Sequence, residues 1–169
     1  MVKPVMFKTQ ILKLQMFMNV NYLLIPKSVV HEFGGISKTR LFCEVNKKIK
    51  FQCGMMPLNN GQAYITLNKQ RMKELGLKTG DFAKVTLQVD SSKYGMEISD
   101  ELKEILKQDP EGNERFHKLS PGKQRNIIFY VDSVKSSQLK IDRAIKLLTN
   151  LKNCPPEKET MRRIFGIAD

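Results

Sequence analysis

The chain has 169 residues, of which 41% are hydrophobic and 8% aromatic, and these totals argue against a disordered protein. This length accommodates one domain, or one domain with a helical appendage. The formal net charge of +12 is uneven, because residues 1–90 hold 14 Lys and Arg against 5 Asp and Glu, whereas residues 91–169 hold 15 against 12. A basic front half attracts polyanions, although lysines on a soluble domain are often only solubilising.

The amino-terminal segment lacks the continuous apolar stretch that we would expect of a secretory signal. Its apolar residues are interrupted by lysines at positions 3, 8 and 13, and runs such as YLLI are too short to cross a bilayer. The three cysteines, Cys43, Cys53 and Cys154, have no CxxC spacing. We therefore expect a cytoplasmic protein whose thiols are reduced, two of them in strands and one in a loop.

An internal repeat follows in the front half. Aligning Tyr22 with Tyr64 sets an offset of 42 residues and places IPKSVVHEF over LNKQRMKEL. One deletion opposite Gly35 then carries TRLFCEV onto GDFAKVT. Two units result, covering roughly 7–47 and 49–89.

Each unit has the pattern β-β-α-β. The short helix starts near Pro26, which is suited to the first helical position, and after Asn68, which is suited to an N-cap. Gly34 and Gly76 then occupy the left-handed position that ends each helix. The pair of units predicts a mainly β fold with α, a six-stranded double-split pseudo-barrel over residues 1–92.

The back half is predicted to be helical, with an appendage over 93–152 and a tail over 153–169. SDELKEILKQ has Ser99 as its N-cap, and GNERFHKL adds a turn or two of helix. The region from 97 to 114 holds seven acids against two lysines, so it forms either a solvated face or a surface that lies against the basic barrel. LSPGKQRNIIFYVDSV, capped by Ser120, and KSSQLKIDRAIKLLTNL then form a helical hairpin.

The helical hairpin has two interpretations. It either caps the barrel or reads a nucleic-acid groove with its second helix. The basic side of that helix carries Lys140, Arg143 and Lys146, opposite apolar positions that include Ile145.

No catalytic constellation, metal site or cofactor motif is predicted. GLKTGD lacks the Lys-Ser/Thr ending of a P-loop, and no nucleophile elbow is present. His31 and His117 lack an orienting carboxylate, and neither stands at ligand spacing from a cysteine. We therefore expect a protein that is not an enzyme.

Basic residues are the better binding candidates. Lys27 and Lys69 align across the repeat, so a two-fold barrel would present them symmetrically. The sequence NKKIK is typical of a tight turn and gathers three lysines at the repeat junction. The full set of anion-binding or nucleic-acid-binding candidates is Lys27, Arg40, Lys47, Lys48, Lys50, Lys69 and Arg71.

The two helix-bearing segments, IPKSVVHEFGGI and LNKQRMKELGLKTGDFAKVTL, resemble the swapped-hairpin signature of the AbrB/MazE transcription-factor family. In that family two chains combine to form the double-split barrel, so the resemblance implies that one chain here supplies both halves and is a monomer. The family commonly carries an arginine four residues before the proline and another four residues after it. Here Tyr22 and Tyr64 stand at the first position and Val30 and Met72 at the second, which weakens the inference of DNA reading.

Over residues 5–152 the chain resembles bacterial proteins of the YdeI/OmpD-associated, bacteriocin-protection-like kind. YLLIPKSVVHEFGG, YITLNKQRMKELGLKTGD and the helical hairpin carry that resemblance. It implies a barrel domain of unknown function joined to a helical tail, and it implies no defined reaction.

Three functions stay open from the sequence. The first is a non-enzymatic binding module for a protein partner or a small ligand. The second is nucleic-acid binding or regulation through the basic barrel surface. The third is an enzyme with a pocket between the barrel and the helices.

Overall fold

The computed structural model describes residues 3–14, 20–36 and 39–167. The chain divides into two compact units, Met1–Gly95 and Met96–Asp169. Parts of the predicted repeat, at 15–19 and 37–38, lie outside the described residues.

The first unit is a mixed α/β structure built on an antiparallel sheet that curls into a half-barrel. A one-turn 3-10 helix, Asn59–Gly61, precedes the sixth strand. The strands and helices are β1 (Val5–Leu14), β2 (Val20–Ile25), α1 (Lys27–Glu32), β3 (Arg40–Val45), β4 (Ile49–Gly54), β5 (Met56–Pro57), β6 (Ala63–Leu67), α2 (Lys69–Leu75) and β7 (Phe82–Val89).

The spatial order of the strands is β4-β3-β7-β1-β2-β6-β5. Strand β1 serves two partners, since its first part pairs with β7 from Val5 to Gln10 and its last part pairs with β2 from Ile11 to Leu14. The described residues form seven strands where the sequence predicted six, because the two-residue β5 follows β4 after Met55 as a separate strand.

The core lies on the inner face of the sheet, where strand residues alternate between buried and exposed. In β3 the inward side chains of Leu41, Cys43 and Val45 are fully buried, and α1 adds Val29 and Val30. The buried core side chains in the remaining strands and in α2 are Ile11, Leu23, Ile25, Cys53, Ala63, Ile65, Leu67, Leu75, Ala83, Val85 and Leu87.

The predicted helix ends of this unit are largely confirmed. The Asn68 side chain accepts a hydrogen bond from the Arg71 backbone N–H at 2.8 Å, as an N-cap does. Gly76 ends α2 with a φ of 68°, and Gly34 follows α1 with a φ of 72°. Pro26 is itself the N-cap residue of α1, one position earlier than predicted.

The deletion that the sequence alignment placed opposite Gly35 is wrong by one residue for the strands. It sets Cys43, which is buried, against Lys84, which is exposed. Because strand side chains alternate with period two, a one-residue slip exchanges the two faces. Letter similarity favoured that alignment, whereas matching buried positions with buried positions pairs Cys43 with Val85, at an offset of 42.

The second unit consists of helices. They are α3 (Asp100–Gln108), α4 (Pro110–Lys118), α5 (Pro121–Asp132), α6 (Ser137–Asn153) and α7 (Met161–Phe165). The predicted turn or two at GNERFHKL is the full helix α4, whose N-terminal Gly112 N–H is capped by Asp109 at 2.9 Å. The predicted tail contains α7, which buries Ile164 completely.

The two hairpin helices begin where the sequence predicted. Ser120 caps α5 and Ser136 caps α6 through their side-chain oxygens. Ile127 and Val131 of α5 are buried as expected, but Ile145 of α6 is 52% exposed, so its assignment to the apolar side was wrong. The chain's described helices include none with the length and apolar character of a membrane span.

Candidate anion-binding site

A tight turn between β3 and β4 brings a lysine to the outer side of β7. Asn46 and Lys47 have φ values of 52° and 57°, both left-handed, and the Lys48 N–H closes the turn on the Val45 carbonyl at 3.0 Å. The Asn46 side chain accepts the Lys84 backbone N–H at 2.8 Å, and the Asn46 N–H donates to the Lys84 carbonyl at 2.8 Å. This double tie fixes the turn, and therefore Lys47, beside Lys84.

Strand pairing supplies a third lysine. In the antiparallel pair of β1 and β7, Lys8 is directly opposite Lys84, and Met6 is opposite Thr86. Residues in that relation have Cβ atoms about 4.5–5.5 Å apart. A groove of about 670 Å³ opens here, and its lining includes Met6, Lys8, Lys47, Lys84 and Thr86. We call these five residues the lysine groove.

The groove is electropositive, because no acidic residue in the described part of the chain pairs with its lysines. None of Lys8, Lys47 and Lys84 forms an ion pair with a described residue. Lys8 instead places its ammonium 5.0 Å from the centre of the Phe82 ring. Like charges directly opposite one another destabilise a strand pair, so the arrangement has a cost that a bound anion would offset.

The repeat-junction lysines separate into different surroundings. Lys47 lines the groove. Lys48 turns away and donates to the Leu75 carbonyl at the end of α2, at 3.4 Å. Lys50 lies over the Phe42 ring, 5.0 Å from its centre, on the outer face of β3 and β4.

The two arginines among the predicted candidates, Arg40 and Arg71, contact other parts of the first unit. Arg40 donates from Nε to the Gly95 carbonyl at 3.1 Å, and its side chain fills the space that a Cβ at Gly95 would need. Arg71 stacks its guanidinium on the Phe51 ring at 3.7 Å, and burial lowers the pKa of Arg71 from its ordinary value. Neither arginine lines the groove.

The remaining candidates also lie elsewhere. Lys27 runs along Gly61, and Lys69 is exposed at the first position of α2. On α6, Lys140 pairs with Glu101 at 3.5 Å and Arg143 donates to the Tyr130 carbonyl at 2.7 Å. Lys146 is the exposed member of that set.

Sequence reasoning missed Lys8 and Lys84, the opposed pair at the centre of the site. They are 76 positions apart in a chain whose strands carry many lysines. Only the register of β1 against β7 makes them neighbours. Strand alternation gives the face on which each lies, but the identity of the cross-strand partner is a tertiary property.

Other chemistry-bearing side chains are dispersed. The part of the chain that the structure describes contains no group of three or more metal-ligating side chains. A second cavity, of about 440 Å³, is lined by Asn150, Asn153, Cys154 and Arg163 in the second unit, and no described histidine lines it. Cys43 and Cys53 are buried free thiols, and their mutual hydrogen bond followed by burial raises the pKa of Cys43.

Two family models match the chain. Residues 7–87 match a domain of unknown function, DUF1905. Residues 95–153 match the family described as bacteriocin-protection, YdeI or OmpD-associated. No curated protein matches the chain significantly. The first match lies within the first unit, and the second match, apart from residue 95, lies within the second unit.

Proposed function

We propose that this chain is a non-enzymatic binding module for an anionic ligand. The two domains that it matches have no defined reaction. The observation that carries the proposal is the lysine groove, in which Lys8 and Lys84 oppose each other and neither forms an ion pair with a described residue. Opposed like charges weaken the sheet, so binding accounts better for them than folding does. The module works in the cytoplasm as a monomer.

We also propose that the first unit is a double-split barrel of two β-β-α-β repeats, like the barrel of AbrB-type proteins. The pairing of β2 with β6 supports this, because it maps onto itself under an offset of 42 residues. Adding 42 to Asn21 and subtracting 42 from Leu67 turns the pair Asn21↔Leu67 into Ala63↔Ile25, which is also a pair.

The first strand of each repeat, β1 in one and β4 with β5 in the other, supports the same proposal. An offset of 44 for the first strand and 42 for its partner turns Leu12↔Tyr22 into Met56↔Tyr64, and both are observed pairs. β4 and β5 together therefore correspond to the bent β1. Tyr22 and Tyr64, which replace the arginines of the DNA-reading family, meet at the centre of this arrangement with their ring centroids 5.5 Å apart.

A titration with inorganic polyphosphate tests the anionic-ligand proposal, since this probe has charge without bases. We expect the full chain to bind it at ~50 mM salt, with an affinity that falls as salt rises. Replacing Lys84 with Gln lowers the affinity and makes the salt dependence shallower, because one phosphate contact is lost.

The matched control is Lys78→Gln, which removes the same charge from an exposed position outside the groove. We expect it to bind polyphosphate as the parent chain does. If Lys78→Gln and Lys84→Gln weaken binding equally, the charge acts diffusely and the groove is not the site. Absence of binding at ~50 mM salt contradicts the proposal altogether.

A further inference from the structure

An outward face of the sheet extends the lysine groove in both directions along β7. Beyond Lys84, in one direction, stands Phe82, whose side chain is 57% exposed. In the other direction Thr86 and Gln88 follow, and Gln88 is opposite Phe42 on β3. Phe82 and Gln88 are six residues apart, so the two aromatic rings mark the ends of a face about 20 Å long.

Each aromatic ring on this face has a lysine beside it. Lys8 lies 5.0 Å from the ring centre of Phe82, and Lys50 lies 5.0 Å from that of Phe42. Among the described residues, the face carries two carboxylates: Glu44, which is opposite Lys50 on β4 and Thr86 on β7, and Asp90, which accepts a hydrogen bond from the Gln52 side chain at 2.8 Å. Cations therefore outnumber acids on the face. We call Phe42, Lys50, Lys8, Phe82 and Lys84 the aromatic–lysine strip.

Of the two rings, Phe82 is exposed and Phe42 is partly buried, and an exposed aromatic ring is not needed to hold an anion. A phosphate or a carboxylate is satisfied by lysines alone, and leaving a large apolar side chain such as Phe82 in water is unfavourable. Aromatic rings alternating with lysines along a groove are instead the combination that binds single-stranded nucleic acid. Bases stack on the rings while lysines contact the phosphates.

Resting on the proposed groove function, we propose that the ligand is single-stranded nucleic acid, bound along the aromatic–lysine strip. Unpaired bases stack on Phe82 and Phe42, and Lys8 and Lys84 contact the phosphates between them. Met6, which is 79% exposed opposite Thr86, packs against sugar or base. A duplex binds less well, because its bases are already stacked and cannot reach the rings.

The length of the strip fits a short oligomer. Single-strand sites on comparable small β domains cover ~4–16 nucleotides, and a face of about 20 Å corresponds to the lower part of that range. Three phosphate contacts, from Lys8, Lys84 and Lys50, give an expected slope of roughly −2 for the logarithm of affinity against the logarithm of salt concentration.

The test measures fluorescence anisotropy of a labelled ten-nucleotide oligothymidine with the full chain, beside a duplex of the same length and inorganic polyphosphate. Phe82→Leu keeps the apolar bulk of the side chain and removes its aromatic face. We expect Phe82→Leu to weaken oligothymidine binding by roughly 5- to 150-fold, the range converted from the free energy of one stacked base. Polyphosphate binding stays unchanged in this variant.

The matched control is Phe129→Leu, which changes an aromatic side chain that is 68% exposed in the second unit. It leaves oligothymidine binding unchanged if the strip is the site. Equal affinity for oligothymidine, duplex and polyphosphate, with no effect of Phe82→Leu, overturns the single-strand proposal while the anion-binding function stands. Binding of polyglutamate as tightly as oligothymidine likewise overturns it in favour of an acidic protein partner. If none of these probes binds, both proposals fail.

Discussion

The two units differ in whether their basic side chains pair with carboxylates. In the helical unit, Arg115 reaches the carboxylate of Glu159 at 3.0 Å and Lys152 reaches that of Asp109 at 2.7 Å. In the curled sheet, Lys8 and Lys84 are opposite each other and have no described carboxylate partner. Net charge alone therefore does not identify a binding surface, whereas the partners of each charge do.

The acid-rich segment from 97 to 114 illustrates the same contrast. It was open whether these acids form a solvated face or lie against the basic barrel. Glu101 pairs with Lys140 of α6, and Asp109 pairs with Lys152, so two of them hold the helices of their own unit together. Because Lys140 on the basic side of α6 already pairs with Glu101, that side is less available to phosphates. This weakens the interpretation in which the helical hairpin enters a nucleic-acid groove.

The largest expected loss of stability comes from a substitution in the helical unit, at Arg115. Arg115 also donates to the Lys152 and Cys154 carbonyls, at 2.9 and 2.7 Å, in addition to its contact with Glu159. Arg115→Met leaves a partly buried carboxylate and two carbonyls without their donor, and we expect it to lower the free energy of unfolding by about 2 kcal/mol. Urea titration followed by circular dichroism at 222 nm measures the loss. Lys118→Met, in an exposed pair with Glu114, should cause no measurable change.

A smaller effect is expected from Asp109. The hydrogen bond from Lys152, followed by that from the Gly112 N–H, lowers the pKa of Asp109 below its ordinary value of 3.8. The contribution of this carboxylate is therefore complete above that ordinary value and is lost as pH falls through the lowered one. Asp109→Asn keeps the cap but removes the charge, so it should cost roughly 0.5 kcal/mol at neutral pH.

The pH dependence provides the check on Asp109. Thermal melts at pH 7 and at successive lower values should show the parent losing part of its advantage over Asp109→Asn below about pH 4. An advantage of the parent that stayed constant down to pH 2.5 would contradict the assignment.

The smallest expected change in the free energy of unfolding is an increase, and it comes from a substitution in the sheet. Lys84→Gln relieves the repulsion from Lys8, so we expect it to stabilise the protein by roughly 0.2–1 kcal/mol at low salt. The gain should shrink at ~1 M salt, where screening acts within about 3 Å. Lys78→Gln, compared by the same urea titration, should be neutral. A loss of stability in Lys84→Gln would mean that this lysine serves the fold, and the contrast between the units would disappear.

Local sequence signals predicted the elements well and the site only in part. Asn68, Ser120 and Ser136 mark helix starts because their side chains satisfy backbone N–H groups within the next turn, a relation that is local in sequence. Lys47 was identified because it stands in a lysine-rich turn. Lys8 could not be identified, because its importance comes from Lys84 on a strand far along the chain.

Composition was also a poor guide to the use of each basic residue. Arg40, Arg71 and Lys48 were all anion-binding candidates, the two arginines near helix ends and Lys48 in the turn that joins the two repeat units. The structure separates them by their contacts, with a loop carbonyl, an aromatic ring and a helix terminus respectively. Such partners are set by tertiary packing, and no spacing rule in the sequence indicates them.

Each unit contains a buried cysteine whose labelling rate can report how often that unit opens. Cys43 in β3 and Cys53 in β4 are buried in the core of the first unit, and Cys154 is buried at the end of α6. A thiol reagent must reach the sulfur atom to be attacked by it, so each buried cysteine is labelled only when its surroundings open. Single-cysteine chains that retain either Cys53 or Cys154 would therefore report the opening rates of the sheet and of the helices independently, under native conditions and without denaturant.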